Sequence, residues 1–269
     1  MKKTASIKTR MFWGIFLLVL AMTVMVDSIV YFAYKQDVEK KVAAYAEGMV
    51  KEMAENLSGS VRSLEENMMY KITDSQIFGY HAQPEAVNIY AVQRRLQSFA
   101  ALMENSAFQI EAVYVCDIYG NTALYDKASV FGVETENFEN TEAGQYIADH
   151  YEELLIRRGT TSWMQFSDDP DTIYLIKTVL NQESLLLEGI LCIMIEDSYF
   201  EALAQNHMMR MAVYNESGEL IFCDNTIRQL AGEVVQTESG SFFQTSDDRY
   251  LIVRGMVSKK KVDTCGLCF

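Results

Sequence analysis

The chain has 269 residues, 49% of them hydrophobic and only two of them Pro, so it can bury a sizeable core and is not a disordered linker. Its formal net charge is −14, and setting aside the four basic residues before Met11 and the single acid Asp27 within the apolar run leaves −17 for the remainder. A field of that sign repels phosphate backbones and anionic lipid, which argues against nucleic acid as a partner.

Residues 11–34 read MFWGIFLLVLAMTVMVDSIVYFAY, with no charge before Asp27. About 24 residues at roughly 1.5 Å each cross a hydrocarbon core of about 30 Å with some tilt. Lys2, Lys3, Lys8 and Arg10 precede the run without an acid among them, so residues 1–10 are expected in the cytoplasm and residues 35–269 outside. Val24-Met25-Val26 and Phe32-Ala33-Tyr34 are too bulky for a small-x-small cleavage site, so a retained anchor in membrane lipid is expected rather than a signal peptide. Asp27 falls toward the outer interface, where a charge costs least.

From Lys35 the apolar residues Val38, Val42, Tyr45, Met49, Met53, Leu57, Val61, Leu64 and Met68 recur every three or four positions. That spacing predicts one long amphipathic helix over residues 35–75, weakest at Ser58-Gly59-Ser60, with its Met-rich stripe as a packing face. Residues 73–84 read as a loop, and Pro84-Glu85 opens a second helix to about Asn105. The period then changes. Ile110 to Cys116 is rich in strand formers, Asp117-Ile118-Tyr119-Gly120 is a turn in which Gly120 supplies the positive φ, and Thr122 to Tyr125 resumes the extended run.

A polar loop is expected over residues 134–141, then a helix from Glu142 to Arg157, stopped by Gly159. Strands follow at 162–166, 173–180 and 185–195, separated by Asp168-Asp169-Pro170-Asp171 and Asn181-Gln182-Glu183-Ser184. A five-stranded antiparallel sheet with helices on one face fits this order. After a short helix at 198–205 the hairpin recurs: Met211 to Tyr214, Asn215-Glu216-Ser217-Gly218, then Glu219 to Cys223, an offset of 98 residues from the first. A helix over 226–232, a strand near Phe242 and another over 250–257 complete a second, smaller copy.

The five Cys are an odd number for an exported domain. Cys116, Cys192 and Cys223 lie in strand-like runs and read as small buried hydrophobes. Cys265-Gly266-Leu267-Cys268 has no helix amino terminus behind it to lower a thiol pKa and no second ligand pair for zinc, so it reads as incidental. His81, His150 and His207 stand apart from one another. There is no Gly-rich phosphate loop, no HExxH and no GxSxG, so no enzyme constellation, metal site or cofactor is expected. Asp168, Asp169 and Asp171 lack the spacing of a calcium loop and read as a solvated turn.

With these features on the page, the chain resembles the double Cache family, in particular the extracytoplasmic sensor regions of YesM-type bacterial sensor histidine kinases. The resemblance is carried by the basic-flanked anchor, the long helix, IEAVYVCDIYGN, TIYLIKTVL, GILCIMIEDSYFEAL and MAVYNESGELIFCDN. It implies an α+β fold: an amino-terminal transmembrane helix, a long juxtamembrane helix, then tandem PAS-like antiparallel-sheet modules. The implied division is 1–10 cytoplasmic tail, 11–34 transmembrane helix, 35–75 juxtamembrane helix, 76–205 membrane-distal module and 206–269 membrane-proximal module, the last incomplete and lacking its final strand. Such receptors continue into a second membrane helix, a HAMP linker and a kinase, so the chain reads as their amino-terminal part, and the tail from Lys259 as an altered or truncated end. Cache domains that bind amino acids carry an Arg-x-Trp-Tyr cluster on the helix before the meander and an Asp five residues after the closing-strand Gly. Here that helix ends Leu155-Ile156-Arg157-Arg158-Gly159 and the fifth residue after Gly189 is Met194, so amino-acid recognition is not expected.

Binding is the expected class of activity. The inner face of the first sheet is expected to offer Tyr114, Tyr125, Trp163, Tyr174 and Lys177, with Asp197 at its edge, to a sugar, a small acid or a peptide. The parent receptor is expected to be a homodimer. The alternative is a membrane-tethered interaction module that pairs through the long helix and binds no small molecule.

Overall fold

The segments expected as anchor and juxtamembrane helix form one uninterrupted helix, α1 (Ile7–Ser75), 69 residues long in the computed structural model. The structure describes residues 7–75, 77–78, 89–103, 107–128, 135–157, 159–181, 184–206, 210–214, 220–224, 227–228, 241–244, 249–258 and 262–268. The chain divides into two units, Met1–Gly48 and Met49–Phe269. In the first, every side chain from Met11 to Tyr34 is exposed, all around the helix. A helix that is apolar on every side and packed on none is long and apolar enough to cross a membrane.

In the second unit α1 buries Val50, Met53, Ala54, Leu57, Leu64, Met68 and Ile72, the three-and-four spacing of a packing stripe. The helix passes through Ser58-Gly59-Ser60 unbroken, and Ser60 Oγ lies 2.7 Å from the Tyr199 hydroxyl. After α2 (Ile89–Met103) come β1 (Ile110–Asp117) and β2 (Thr122–Asp126), then α3 (Thr135–Glu139), α4 (Glu142–Asp149) and α5 (Tyr151–Ile156). β3 (Thr161–Met164), β4 (Thr172–Leu180) and β5 (Leu187–Glu196) form the meander, and α6 (Ser198–Asn206) leads out of it. These five strands form one sheet in the order β2-β1-β5-β4-β3, antiparallel throughout.

Three expectations are corrected here. Residues 135–139, expected in a polar loop, form α3, because Phe138 gives that segment an apolar residue to bury. Helices also cover both faces of the sheet. β1, β4 and β5 are buried almost without alternation, as strands covered on both sides must be. The helix expected over 142–157 is divided at His150, where the backbone leaves helical geometry.

The second sheet contains β6 (Arg210–Tyr214), β7 (Leu220–Cys223), β8 (Ser241–Gln244), β9 (Arg249–Ser258) and β10 (Val262–Cys268), in the order β7-β6-β10-β9-β8. Replacing each strand by the one five places earlier reproduces the first sheet's order. The repeat is therefore one of topology as well as of hairpins. The expected missing last strand is present: β10 lies between β6 and β9, pairing antiparallel with both. Cys265-Gly266-Leu267-Cys268 is accordingly extended backbone in a sheet. The turn at 215–218, most of the helix expected over 226–232, Pro84, His81 and His207 lie outside the described residues.

Candidate ligand-binding site

Register decides which side chains meet. Tyr114 pairs with Leu124 and Cys192, Cys116 with Ile190, Ile176 with Cys192, and Tyr174 with Met194 and Met164, so these residues share one face of the first sheet. α3, α4 and α5 close over that face with Phe138, Ile147 and Leu154, and Tyr146, Tyr151, Met164 and Phe166 stand partly exposed around it. The rings form an arc. Tyr114 meets Phe138 at 4.5 Å, Tyr174 meets Phe166 edge-on at 5.0 Å, Phe166 meets Tyr146 at 5.8 Å, and Tyr146 stacks on His150 at 4.3 Å. Centroid spacings in this range are those of favourable aromatic pairs.

A latch holds the loop beside this arc. Thr141 caps α4 through its hydroxyl, and Asp168 Oδ2 accepts from the Glu142 amide at 2.8 Å. In return the Glu142 carboxylate accepts from the Ser167 hydroxyl at 2.6 Å and the Ser167 amide at 2.9 Å, which holds its pKa below the usual range. Free amides at a helix start thus tie a loop 25 residues away to α4. That loop carries Asp169, whose Oδ2 accepts from the Tyr174 hydroxyl at 2.9 Å.

Burial, then the charges of Asp117 and Glu139, push the Cys116 thiol up to about 11. Burial, then Cys116 and Asp117, push Tyr151 up to about 12. Burial raises Tyr114 far above the ordinary range and, with the hydrogen bond to Asp169, raises Tyr174 as well; burial alone raises Cys192. These groups are therefore neutral near pH 7, and the phenols keep their protons.

Of the six residues expected at the site, the structure brings two together. Tyr114 and Tyr174 share the face just described. Tyr125 pairs with Val113, Trp163 with Leu175 and Lys177 with Leu191 and Thr161, which places all three on the opposite face. The expectation of one shared inner face is corrected by that register. There Lys177 donates to Thr161 Oγ1 at 2.9 Å and to the Gly159 carbonyl at 3.4 Å. Trp163 packs against Phe108 at 5.9 Å, and its buried indole N–H has no acceptor among the described residues. Phe138, Tyr146, Tyr151, Phe166 and Asp169 were missed as lining because their places depend on how α3 to α5 cross the sheet. Cys116, Cys192 and Cys223 are buried free thiols, as expected of small hydrophobes.

Asp197 sits between β5 and α6, where its amide donates to the Asp171 carbonyl at 3.1 Å. Burial, with Glu201, Asp171 and Glu196 nearby, pushes its pKa up to about 6, against a smaller opposing pull from Arg228. Because the folded protein binds this proton more tightly than an exposed Asp with a pKa of 3.8, the stability Asp197 contributes is full below that value and lost as pH rises through about 6. Asp197→Asn removes the penalty. Thermal melts are expected to show the variant a few degrees above the parent at pH 8, with the gap closing toward pH 4; a gap that widens on acidification would contradict this assignment.

No protein-family profile matches the chain, and no curated protein matches it in sequence. Among solved structures, the ligand-binding domain of the Pseudomonas fluorescens chemoreceptor CtaA, in complex with L-isoleucine, has a TM-score of 0.58 at 13% identity, covering 88% of this chain and 95% of that one. The ligand-binding domain of the Pseudomonas aeruginosa amino acid chemoreceptor PctC, in complex with GABA, has a TM-score of 0.54 at 11% identity, covering 85% and 100%. The sensory domain of the Campylobacter jejuni chemoreceptor Tlp3 (CcmL) has a TM-score of 0.50 at 10% identity, covering 85% and 95%. At such identities the likeness concerns fold alone: the α+β fold described above, a long helix followed by antiparallel sheets, is similar to that of chemoreceptor ligand-binding domains.

Proposed function

We propose that this chain is the ligand-sensing portion of a membrane-anchored receptor, with its small-molecule ligand held between the first sheet and α3 to α5. The observation that carries this reading is the arc of aromatic rings and hydroxyls on that face, buried on the sheet side and partly open at Tyr146, Tyr151, Met164 and Phe166. The proposed modules are 76–205 and 206–269, and the chain itself is proposed to be non-enzymatic. The resemblance to YesM-type receptors supports a histidine kinase as output, with residues 1–10 cytoplasmic and the sheets outside.

Signal transfer on this reading uses a second aromatic set. Phe108 packs on Trp163 of β3 at 5.9 Å and on Tyr199 of α6 at 4.6 Å, while Phe200 stacks on Phe222 of β7 at 5.2 Å. With the Ser60–Tyr199 hydrogen bond, these contacts join the first sheet, the second sheet and α1. A ligand that favours one packing of this set over another shifts α1 by its differential affinity, typically worth about 1–3 kcal/mol.

The full chain in nanodiscs, melted against a broad panel of small metabolites, tests the proposal. Saturation at a hundredfold over Kd is expected to add about 2.7 kcal/mol, or roughly 5–10 °C for a unit of this size. No shift with any compound would overturn it. The exposed Val38, Val42 and Tyr45 favour a second reading, an anchor that pairs through α1 without a ligand. Sedimentation showing a stable dimer in a ligand-silent protein would select that one.

A further inference from the structure

We propose that the first turn of α6 is a proton-operated clasp, which holds Tyr199 against Ser60 of α1 in acid and lets go when the carboxylates around its start are ionised. The device goes beyond the sensing proposal, since it needs no small-molecule ligand. The first observation is what this short stretch touches. The Asp197 amide donates to the Asp171 carbonyl, at 3.1 Å, in the turn between β3 and β4. Tyr199 places its hydroxyl 2.7 Å from Ser60 Oγ and its ring 4.6 Å from that of Phe108. Phe200 stacks on Phe222 of β7 at 5.2 Å, and Arg228, which follows β7, reaches back to the Pro170 carbonyl at 3.4 Å. One turn of helix therefore bears on the first sheet, the long helix and the second sheet, and a shift of that turn is felt in all three.

The second observation is the charge gathered at that turn. Glu201 from α6, Asp171 from the β3–β4 turn and Glu196 from β5 face Asp197, and Arg228 opposes them. Behind Glu196 stands Glu111 of β1, whose pKa is raised by burial and by Glu196, Asp169 and Asp126, against the hydrogen bond from Thr172. The amino end of α6 adds about half a positive charge, so roughly one and a half positive charges meet three neighbouring acids. Arg228 does not make up the difference: its Nη2 is spent on Pro170, and its buried Nε has no acceptor among the described residues. Burial first, and these acids next, push Asp197 up to about 6. Below that pH Asp197 is neutral and the turn stays seated. Above it a fourth carboxylate charge joins the other three in a half-buried place, where repulsion is stronger than in bulk water. The folded pKa lies above the 3.8 of an exposed Asp, so the clasp is complete below that value and is lost as pH rises through about 6. On the topology proposed above, acidity outside the cell sets the resting position of α1.

The test uses the full chain in neutral-lipid nanodiscs, carrying Trp13→Phe so that Trp163 is the sole indole, and titrated from acid to mild alkali. Trp163 rests on Phe108, the ring that Tyr199 covers, so its emission is expected to shift with a midpoint near pH 6. Over the same range, hydrogen-exchange protection of residues 57–64 of α1, corrected for the intrinsic rate, is expected to fall at least about fivefold as pH rises. Asp197→Asn is expected to abolish both changes and to hold the acid values at every pH. Glu201→Gln, which leaves Asp197 in place, is expected to move the midpoint to lower pH, a displacement that a purely structural role would not produce. Tyr199→Phe is expected to keep the emission change and to leave α1 poorly protected at every pH. Transitions that persist in Asp197→Asn, or α1 protection independent of pH in the parent, overturn the inference. If a panel compound binds while the pH transition is missing, the clasp falls and the sensing proposal stands.

Discussion

Gly189→Ala is expected to destabilise the folded second unit by about 3–5 kcal/mol. Gly189 has φ +156° and pairs with Asp117 of β1 on one side and Val179 of β4 on the other. A Cβ built there would lie 2.3 Å from the Cys116 carbonyl oxygen, 2.9 Å from Asp117 Cα and 2.7 Å from Phe78 Cε1. A ring can turn aside, but two of these atoms belong to the neighbouring strand's backbone. Relief requires β5 and β1 to part at the centre of the sheet, and the β1–β2 turn begins at that point. Urea unfolding followed by near-ultraviolet circular dichroism should show a large fall in midpoint with little change in m. A loss under 1 kcal/mol would show that the two strands do not approach this closely.

Asp117→Ala is expected to cost about 3 kcal/mol. The Asp117 side chain is fully buried. Its Oδ1 accepts from the amides of Tyr119 at 2.8 Å and Asn121 at 2.7 Å, and its Oδ2 accepts from the Asn121 side-chain amide at 2.7 Å. Alanine leaves three donors of a tight turn without their acceptor. The backbone around it is equally committed: the Gly120 amide donates to the Asp117 carbonyl, and the Asp117 amide to the Asn121 carbonyl. Asp117→Asn keeps one oxygen for two of the donors and is expected to lose about half as much. Equal losses for the two substitutions would mean that the carboxylate matters through charge rather than through its acceptors. Amide hydrogen exchange at Tyr119 and Asn121 would locate the damage, rising there before the rest of the sheet.

These two positions also show how far local sequence reaches. The turn at Asp117 to Gly120 was legible because its chemistry is local: an Asp whose side chain accepts from amides two and four residues on, and a Gly at φ +82°. The strands of the first sheet were legible to within two residues for the same reason, since strand-forming runs and turn residues alternate along the chain. Gly189 was recognisable only as the glycine of the closing strand. That its missing Cβ lets β5 lie against β1 is a fact about a strand more than 70 positions away.

β10 marks the opposite extreme. Val-Asp-Thr-Cys-Gly-Leu-Cys has an acid and a glycine where a strand pattern wants alternation, and its ladders slip at Val262/Asp263 and again at Thr264/Leu267. Nothing local commands a strand there. The backbone groups of β6 and β9 do, because each presents an edge that β10 satisfies. α3 is similar, a helix of five residues that covers Tyr114 with Phe138.

By itself, the sequence determined the apolar run that makes α1 a candidate membrane span, the α+β class, the two hairpins at an offset of 98 residues and the burial of three cysteines. All of these follow from composition and from periods shorter than a few turns of chain. Tertiary structure alone decided that Tyr114 and Tyr174 face α3 to α5 while Tyr125, Trp163 and Lys177 face the other way. Side chains alternate along every strand, so a residue's own strand offers two faces, and only pairing with a distant strand chooses between them.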